Sequence, residues 1–98
     1  MQDLAESKRR CARVAVVLKS LAHPQRLFIL CCLSRGEATV GELRDFCGAS
    51  QPVISQHLSR LRREGIVQDR RDGNFVYYRI ADPRLFALIK NMEQTFHE

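Results

Sequence analysis

Seven side chains in this 98-residue sequence carry thiol or imidazole groups: Cys11, Cys31, Cys32, Cys47, His23, His57 and His97. Such groups hold soft metals, form disulfides or act as nucleophiles, and their spacing decides among these roles. No two cysteines form a C-x-x-C pair, and with the histidines they make neither a zinc-finger spacing nor H-E-x-x-H. A P-loop, a G-x-G-x-x-G turn and a G-x-S-x-G elbow are absent as well. The sequence therefore names no nucleophile–base pair, no metal site and no cofactor, and an enzyme is not expected.

A second group of side chains suggests different chemistry. Between Gln51 and Ile80 stand six arginines (Arg60, Arg62, Arg63, Arg70, Arg71, Arg79) and no lysine, against Glu64, Asp69 and Asp72. A guanidinium is a planar fork that matches phosphate oxygens or a guanine edge. Over the whole chain 16 Lys+Arg exceed 11 Asp+Glu, for a formal charge of +5. That surplus favours a polyanionic partner and says nothing about fold.

The elements that must position these groups are legible from caps and periodicity. Leu4, Cys11, Val14, Leu18 and Leu21 recur at helical spacing behind an Asp3/Glu6 capping pair. A second helix starts at His23-Pro24, runs through Leu27, Leu30, Cys31 and Leu33, and stops at Gly36. Leu27, Phe28, Ile29 and Leu30 make it apolar on several sides, so it is expected at the buried centre. Thr39-Val40-Gly41-Glu42 is a capping box for a third helix carrying Val40, Leu43 and Phe46. Gly48 ends it, Ser50 caps the next helix, and Pro52 sits in that helix's first turn. Two helices joined by so short a glycine-containing turn form a helix-turn-helix, over about residues 39–64. Residues 66–80 read as a hairpin around Asp72-Gly73, with Tyr77 and Tyr78 on opposite faces so that one belongs to the core. Asp82-Pro83 opens a final helix with Leu85, Leu88, Ile89, Met92 and Phe96 in its apolar stripe.

The expected fold is mainly α with a small β-hairpin (α+β), in the order α-α-α-α-β-β-α: one winged helix-turn-helix domain over residues 1–98. In the fourth helix Ile54, Leu58 and Leu61 share one arc, while Pro52, Gln56, Ser59 and Arg63 share the opposite one, flanked by Ser55 and Arg60. An outer face of amides, hydroxyls and guanidinium groups suits the major groove, where Gln reads adenine and Arg reads guanine. Gln51, Ser55, Gln56, Ser59 and Arg60 are expected to approach bases, with Pro52 beside them and His57 either close to the DNA or at the edge of the core. Arg63, Arg70, Arg71 and Arg79 are expected to hold phosphates. One such module presents a small interface, so a twofold homodimer reading two half-sites is expected. Its contact would join Leu85, Leu88, Ile89, Met92 and Phe96 to Val14, Val17 and Leu18, across helices at about 4–21 and 83–97. No signal-peptide core or membrane-length apolar run is present, so a cytoplasmic protein with no membrane partner is expected. A rival within another class is a protein-docking winged helix, which a salt-dependent gel shift distinguishes.

Several segments resemble the ArsR/SmtB family of bacterial repressors. They are Leu21-Ala22-His23-Pro24-Gln25-Arg26-Leu27, Thr39-Val40-Gly41-Glu42-Leu43, Ser50-Gln51-Pro52-Val53-Ile54-Ser55-Gln56-His57-Leu58, Leu61-Arg62-Arg63-Glu64-Gly65-Ile66-Val67 and Val76-Tyr77-Tyr78-Arg79-Ile80. The resemblance covers about residues 14–96 and implies a homodimeric repressor of a double-stranded DNA operator, released by a small inducer or an oxidant. It also implies that the Ser55-Gln56-His57 helix is the recognition helix and the hairpin the wing.

The family's sensor sites transfer unevenly. Glu37-Ala38-Thr39-Val40-Gly41 stands where the arsenic-type cysteines belong, and Arg84 and Thr95 replace histidines of the zinc-type site beside Asp82 and Glu98. The redox and reactive-sulfur branch is matched best: Cys31 follows Ile29-Leu30, but His97 occupies about the second thiol position. That leaves Cys31 and Cys32 as the expected redox-sensing pair. Adjacent helical Cα atoms lie ~3.8 Å apart, below the usual disulfide range, so their bridge would be strained and would bend the helix. The alternative is a metal- or arsenic-responsive repressor using Cys11 with Cys31, Cys32 or Cys47.

Overall fold

A computed structural model describes residues 3–97. Helices α1 (Leu4–Leu21) and α2 (Pro24–Leu33) precede a two-residue strand β1 (Ala38–Thr39), then α3 (Val40–Cys47) and α4 (Gln51–Arg63). Strands β2 (Val67–Asp72) and β3 (Phe75–Ile80) follow, and α5 (Pro83–Thr95) ends the series. The order is the expected one with a single addition, β1.

Local chemistry accounts for the helix starts. Each first turn has free backbone N–H groups that need an acceptor. Asp3 supplies one to Ala5 at 2.9 Å, Ser50 to Val53 at 3.4 Å and Asp82 to Arg84 at 2.8 Å. The imidazole Nδ1 of His23 accepts from Gln25 at 3.2 Å. At α3 the box is reciprocal: Thr39 accepts from Glu42 at 3.1 Å, and the Glu42 carboxylate accepts from Thr39 at 3.0 Å. Gly48 ends α3 at φ 64, a left-handed conformation that costs glycine little, and so makes the tight turn into α4.

The sheet is antiparallel in the order β1-β3-β2. Asp72 pairs with Phe75, so the turn between β2 and β3 is the two residues Gly73-Asn74. On its other edge β3 pairs Tyr78 with Ala38 and Tyr77 with Thr39. This third strand braces a hairpin that alone would be marginal.

The core lies where α2, α3, α4, the sheet and α5 meet. Ile29, Leu30, Leu33, Leu43, Ile54, Leu58, Leu61, Ile66, Val67 and Ile89 are all buried. Helix α2 is central as expected, with one correction: Phe28 is 47% exposed, because Ile29, Leu30 and Leu33 already fill the inward face. A second correction concerns Ile89, expected in the dimer stripe. It is 1% exposed and closes the protomer's own core. Arg26 is buried and donates to the Ser20 carbonyl at 2.8 Å, tying α2 to the end of α1. The Ser20 hydroxyl donates in turn to the Glu64 carboxylate, linking that bend to the end of α4.

Candidate nucleic-acid interface

The roll of α4 is set by Ile54, Leu58 and Leu61, each 0% exposed. Burying each contributes on the order of 2 kcal/mol, which holds the helix against rotation. Pro52, Gln56, Ser59 and Arg63 are consequently turned outward and exposed, with Arg60 exposed and Ser55 half-buried at their flank. Gln51 is exposed near the first turn and accepts from Arg44 at 3.1 Å, which leaves its amide nitrogen to donate.

The arginines divide into two sorts. Arg63 and Arg71 are exposed and make no ion pair among the described residues. Arg79 donates to the neutral Gln68 amide at 3.0 Å and keeps its full charge toward solvent. Arg60 pairs with Glu64 at 3.5 Å and Arg62 with Asp69 at 3.1 Å. Arg70 is different again. It is forked onto Glu37 at 3.0 and 3.1 Å, lies 3.7 Å from Asp72 and stacks 4.6 Å over Tyr77. The Arg70 hydrogen bond holds the Glu37 carboxyl below the usual range. Arg70 was expected on a phosphate; its guanidinium is already occupied and fastens the wing to the segment before β1. Of the paired tyrosines, Tyr78 packs against the core and Tyr77 supports Arg70.

His57 takes the core-edge place of the two expected for it. It sits at the edge of the buried face of α4, half-buried, with Nε2 3.1 Å from the Gln25 amide oxygen and its ring 4.9 Å from that of His23. It faces α2 and stands apart from the outward set.

The thiols lie on other surfaces. Cys31 and Cys32, half-buried in the last turn of α2, open onto a 330 Å³ cleft lined by Phe28, Phe46, Arg35 and Glu93. Ser34 donates to the Cys31 carbonyl at 2.6 Å and to Glu93 at 3.3 Å, and Arg35 pairs with Glu93 at 3.5 Å. Burial, then the Glu93 charge, raises the Cys31 thiol above its ordinary value; burial, then Cys47, raises Cys32. Cys47 packs against the core. Cys11 lies exposed on α1 in a different cleft with Val14, Ala15 and Leu18, so it is not brought to Cys31 or Cys32. Among the described residues no three His, Cys, Asp or Glu side chains converge as metal ligands. Asp82 caps α5 and pairs with Arg84 at 2.7 Å. His97 borders a neighbouring cleft that shares Arg35 and Glu93. The two phenylalanines flanking the thiols were missed in the sequence. For Phe28 the signal is an α2 more apolar than its inward face can absorb; Phe46, 57% exposed on α3, has no such signal.

A tight two-helix turn, a polar outward second helix and an arginine-tipped hairpin together define a winged helix-turn-helix DNA-binding regulator. The family model for bacterial regulatory proteins of the arsR family matches residues 23–69. The chain is 41% identical over 93 residues to the biofilm growth-associated repressor of Agrobacterium fabrum, covering 95% of this chain and 80% of that protein. It superposes on the crystal structure of the transcriptional repressor BigR from Xylella fastidiosa with TM-score 0.88 at 36% identity, covering 99% of both chains. It also superposes on the solution structure of the homodimeric winged helix-turn-helix domain of Mb0332 from Mycobacterium bovis, with TM-score 0.74 at 35% identity, covering 100% of this chain and 94% of that one. The chain belongs to the arsR family and is a transcriptional regulator rather than an enzyme. No single helix among the described residues is long and apolar enough to cross a membrane.

Proposed function

We propose that this protein is a homodimeric, operator-binding repressor whose α4 enters the major groove, with release triggered by oxidation of Cys31 and Cys32. The observation that carries the DNA-binding half is the outward face of α4: Gln56, Ser59 and Arg63 are exposed together, next to a wing whose Arg71 makes no ion pair among the described residues. Gln51, Ser55, Gln56, Ser59 and Arg60 approach bases, and Arg63, Arg71 and Arg79 hold phosphates. Pro52 starts the helix without needing an N–H partner. Dimerisation is supported by Val14, Leu18 and Leu88, which stay exposed on a cleft lined by α1 and α5, above the half-buried Val17 and Leu85. A twofold axis through it sets two recognition helices about one DNA turn apart, ~34 Å. The repressing sense follows the names of the A. fabrum and X. fastidiosa relatives.

Gel shifts over a salt series test the division of labour. Arg71→Ala weakens binding to specific and nonspecific DNA alike and reduces the salt slope by about 0.9 per protomer. Gln56→Ala weakens specific binding by about 1–3 kcal/mol and relaxes preference at one base pair. Equal effects of the two substitutions on both DNAs would contradict the assignment, and salt-independent binding would favour protein docking.

Release begins at the last turn of α2. Peroxide takes two electrons from the two thiols: an S–S bond forms, the O–O bond breaks, and the thiol protons leave in two waters. With reactive sulfur, a sulfur–sulfur bond of the polysulfide breaks in place of O–O. The bridge distorts the turn that Ser34 caps and that carries Leu33 into the core. Because only the thiolate attacks and both thiols are raised, oxidation is slow at neutral pH and accelerates with alkali. Mass spectrometry of linked peptides should show a rate rising about tenfold per pH unit across about pH 6.5–8.5. A flat profile excludes the thiolate step. Cys31→Ser abolishes the response, and an unchanged response removes the sensor while leaving the DNA-binding reading intact.

A further inference from the structure

Two imidazoles meet between α2 and α4, and neither takes part in the interface described above. We infer that His57, clasped by Gln25 and His23, is a positioning residue that sets how α4 sits on α2, and that acidification releases this clasp and weakens operator binding. The inference rests on the DNA-binding reading and adds a regulation to it.

The geometry is a short chain of contacts. His57 Nε2 meets the Gln25 side-chain oxygen at 3.1 Å, and the backbone N–H of Gln25 donates to His23 Nδ1 at 3.2 Å. The His23 and His57 rings lie 4.9 Å apart, inclined at 57°. His23 must present an unprotonated Nδ1 to cap α2; a proton there would face the Gln25 N–H and destroy the cap. The charged groups that act on His57 are all basic. They are Arg26 from α2 and Arg60 from α4 itself, beside the basic ring of His23, the residue that caps α2. Glu64, at the end of α4, is engaged by Arg60 and the Ser20 hydroxyl. A proton on His57 therefore enters a half-buried site among three other bases, and among the described residues no carboxylate acts on it. Burial first, then His23, Arg26 and Arg60, hold His57 below the ordinary histidine value.

The sign of the effect follows. Folding lowers the ring's affinity for protons, so the clasp's contribution is fully present above the unfolded value of about 6.5 and is lost as pH falls from there through the lower folded value. His57 adjoins Gln56 and Leu58 in sequence, so a shift of this edge moves the outward face that reads bases. A histidine touching phosphate would behave oppositely, because its added charge would tighten binding on acidification.

Operator affinity of the 98-residue protein at about pH 7.5 and about pH 5.5, at constant salt, tests this. The wild type weakens on acidification by on the order of fivefold. His57→Gln retains an amide to meet Gln25 but cannot take a proton, and its affinity no longer falls. An NMR titration of the DNA-free protein places His57 below about 6.5, and His23→Asn, which keeps a capping side chain, moves it upward. Persistence of the acid effect in His57→Gln overturns the inference. So does tightening of the wild type at low pH, or a free-protein His57 that titrates at or above the ordinary value. Failure to bind any DNA at either pH would instead sink the operator reading, with the NMR titration still deciding whether the clasp exists.

Discussion

Leu88→Glu is expected to leave each protomer folded, abolish dimerisation, and lower operator affinity by on the order of a hundredfold or more. Leu88 is 45% exposed on α5 and borders the same cleft as Val14 and Leu18. Its side chain is not needed for the protomer's core, where Ile89 does the filling. In a twofold interface every substitution counts twice. Each leucine has about half its surface left to bury, so losing two removes about 1–3 kcal/mol of apolar burial, and two carboxylates entering the interface add a desolvation cost. Since 1.4 kcal/mol is tenfold, the lost burial lowers the dimer constant by about tenfold to a hundredfold, and the buried carboxylates lower it further. Half-sites read by separate monomers lose the advantage of tethering. Sedimentation and gel shift on the same sample check both parts. A Leu88→Glu protein that remains dimeric places the interface elsewhere.

Leu58→Ala acts on the fold itself. Leu58 is 0% exposed at the centre of the buried arc of α4. Truncation removes transfer energy and leaves a cavity, together about 2–5 kcal/mol. That is a large part of the about 5–15 kcal/mol that a small domain has in total. Urea denaturation followed by circular dichroism reads the loss, since the chain has no tryptophan. DNA affinity falls in step. Val53→Ala, at a position 37% exposed on the same helix, shifts the midpoint little. Comparable losses for both substitutions would mean that α4 is not anchored by its Ile54–Leu58–Leu61 edge.

Much of this architecture is legible in the sequence because it is specified locally. Thr39 with Glu42, Ser50 with Pro52, and Asp82 with Pro83 each mark a helix start within four residues, and all three mark real ones. The buried arc of α4 follows from period alone. What escapes is specified by partners distant in the chain. Strand β1 has no signature of its own: Ala38 and Thr39 are a strand only because Tyr77 and Tyr78 lie opposite. Arg70 looks like a free cation until Glu37, 33 residues earlier, closes on it. Period alone leaves His57 between the reading face and the core edge, and Gln25, 32 residues earlier, decides for the core edge by claiming its nitrogen. Ile89 and Leu88 sit in one apolar stripe, and only packing shows that the first turns inward and the second outward.

The long first helix carries a consequence of its own. Of its 18 residues only Ser20 and Leu21 are buried, while Leu4, Val14, Val16 and Leu18 stay exposed on a body 52 Å in its longest extent. A helical arm so little supported by its own protomer draws its order from whatever lies along it, because propensity alone sustains helices of this size poorly in water. With a second copy as that support, arm formation becomes a two-body event. Diluting the protein then melts the arm as it separates the pair, and gene dosage, through the number of copies per cell, becomes a control on repression alongside any chemical inducer.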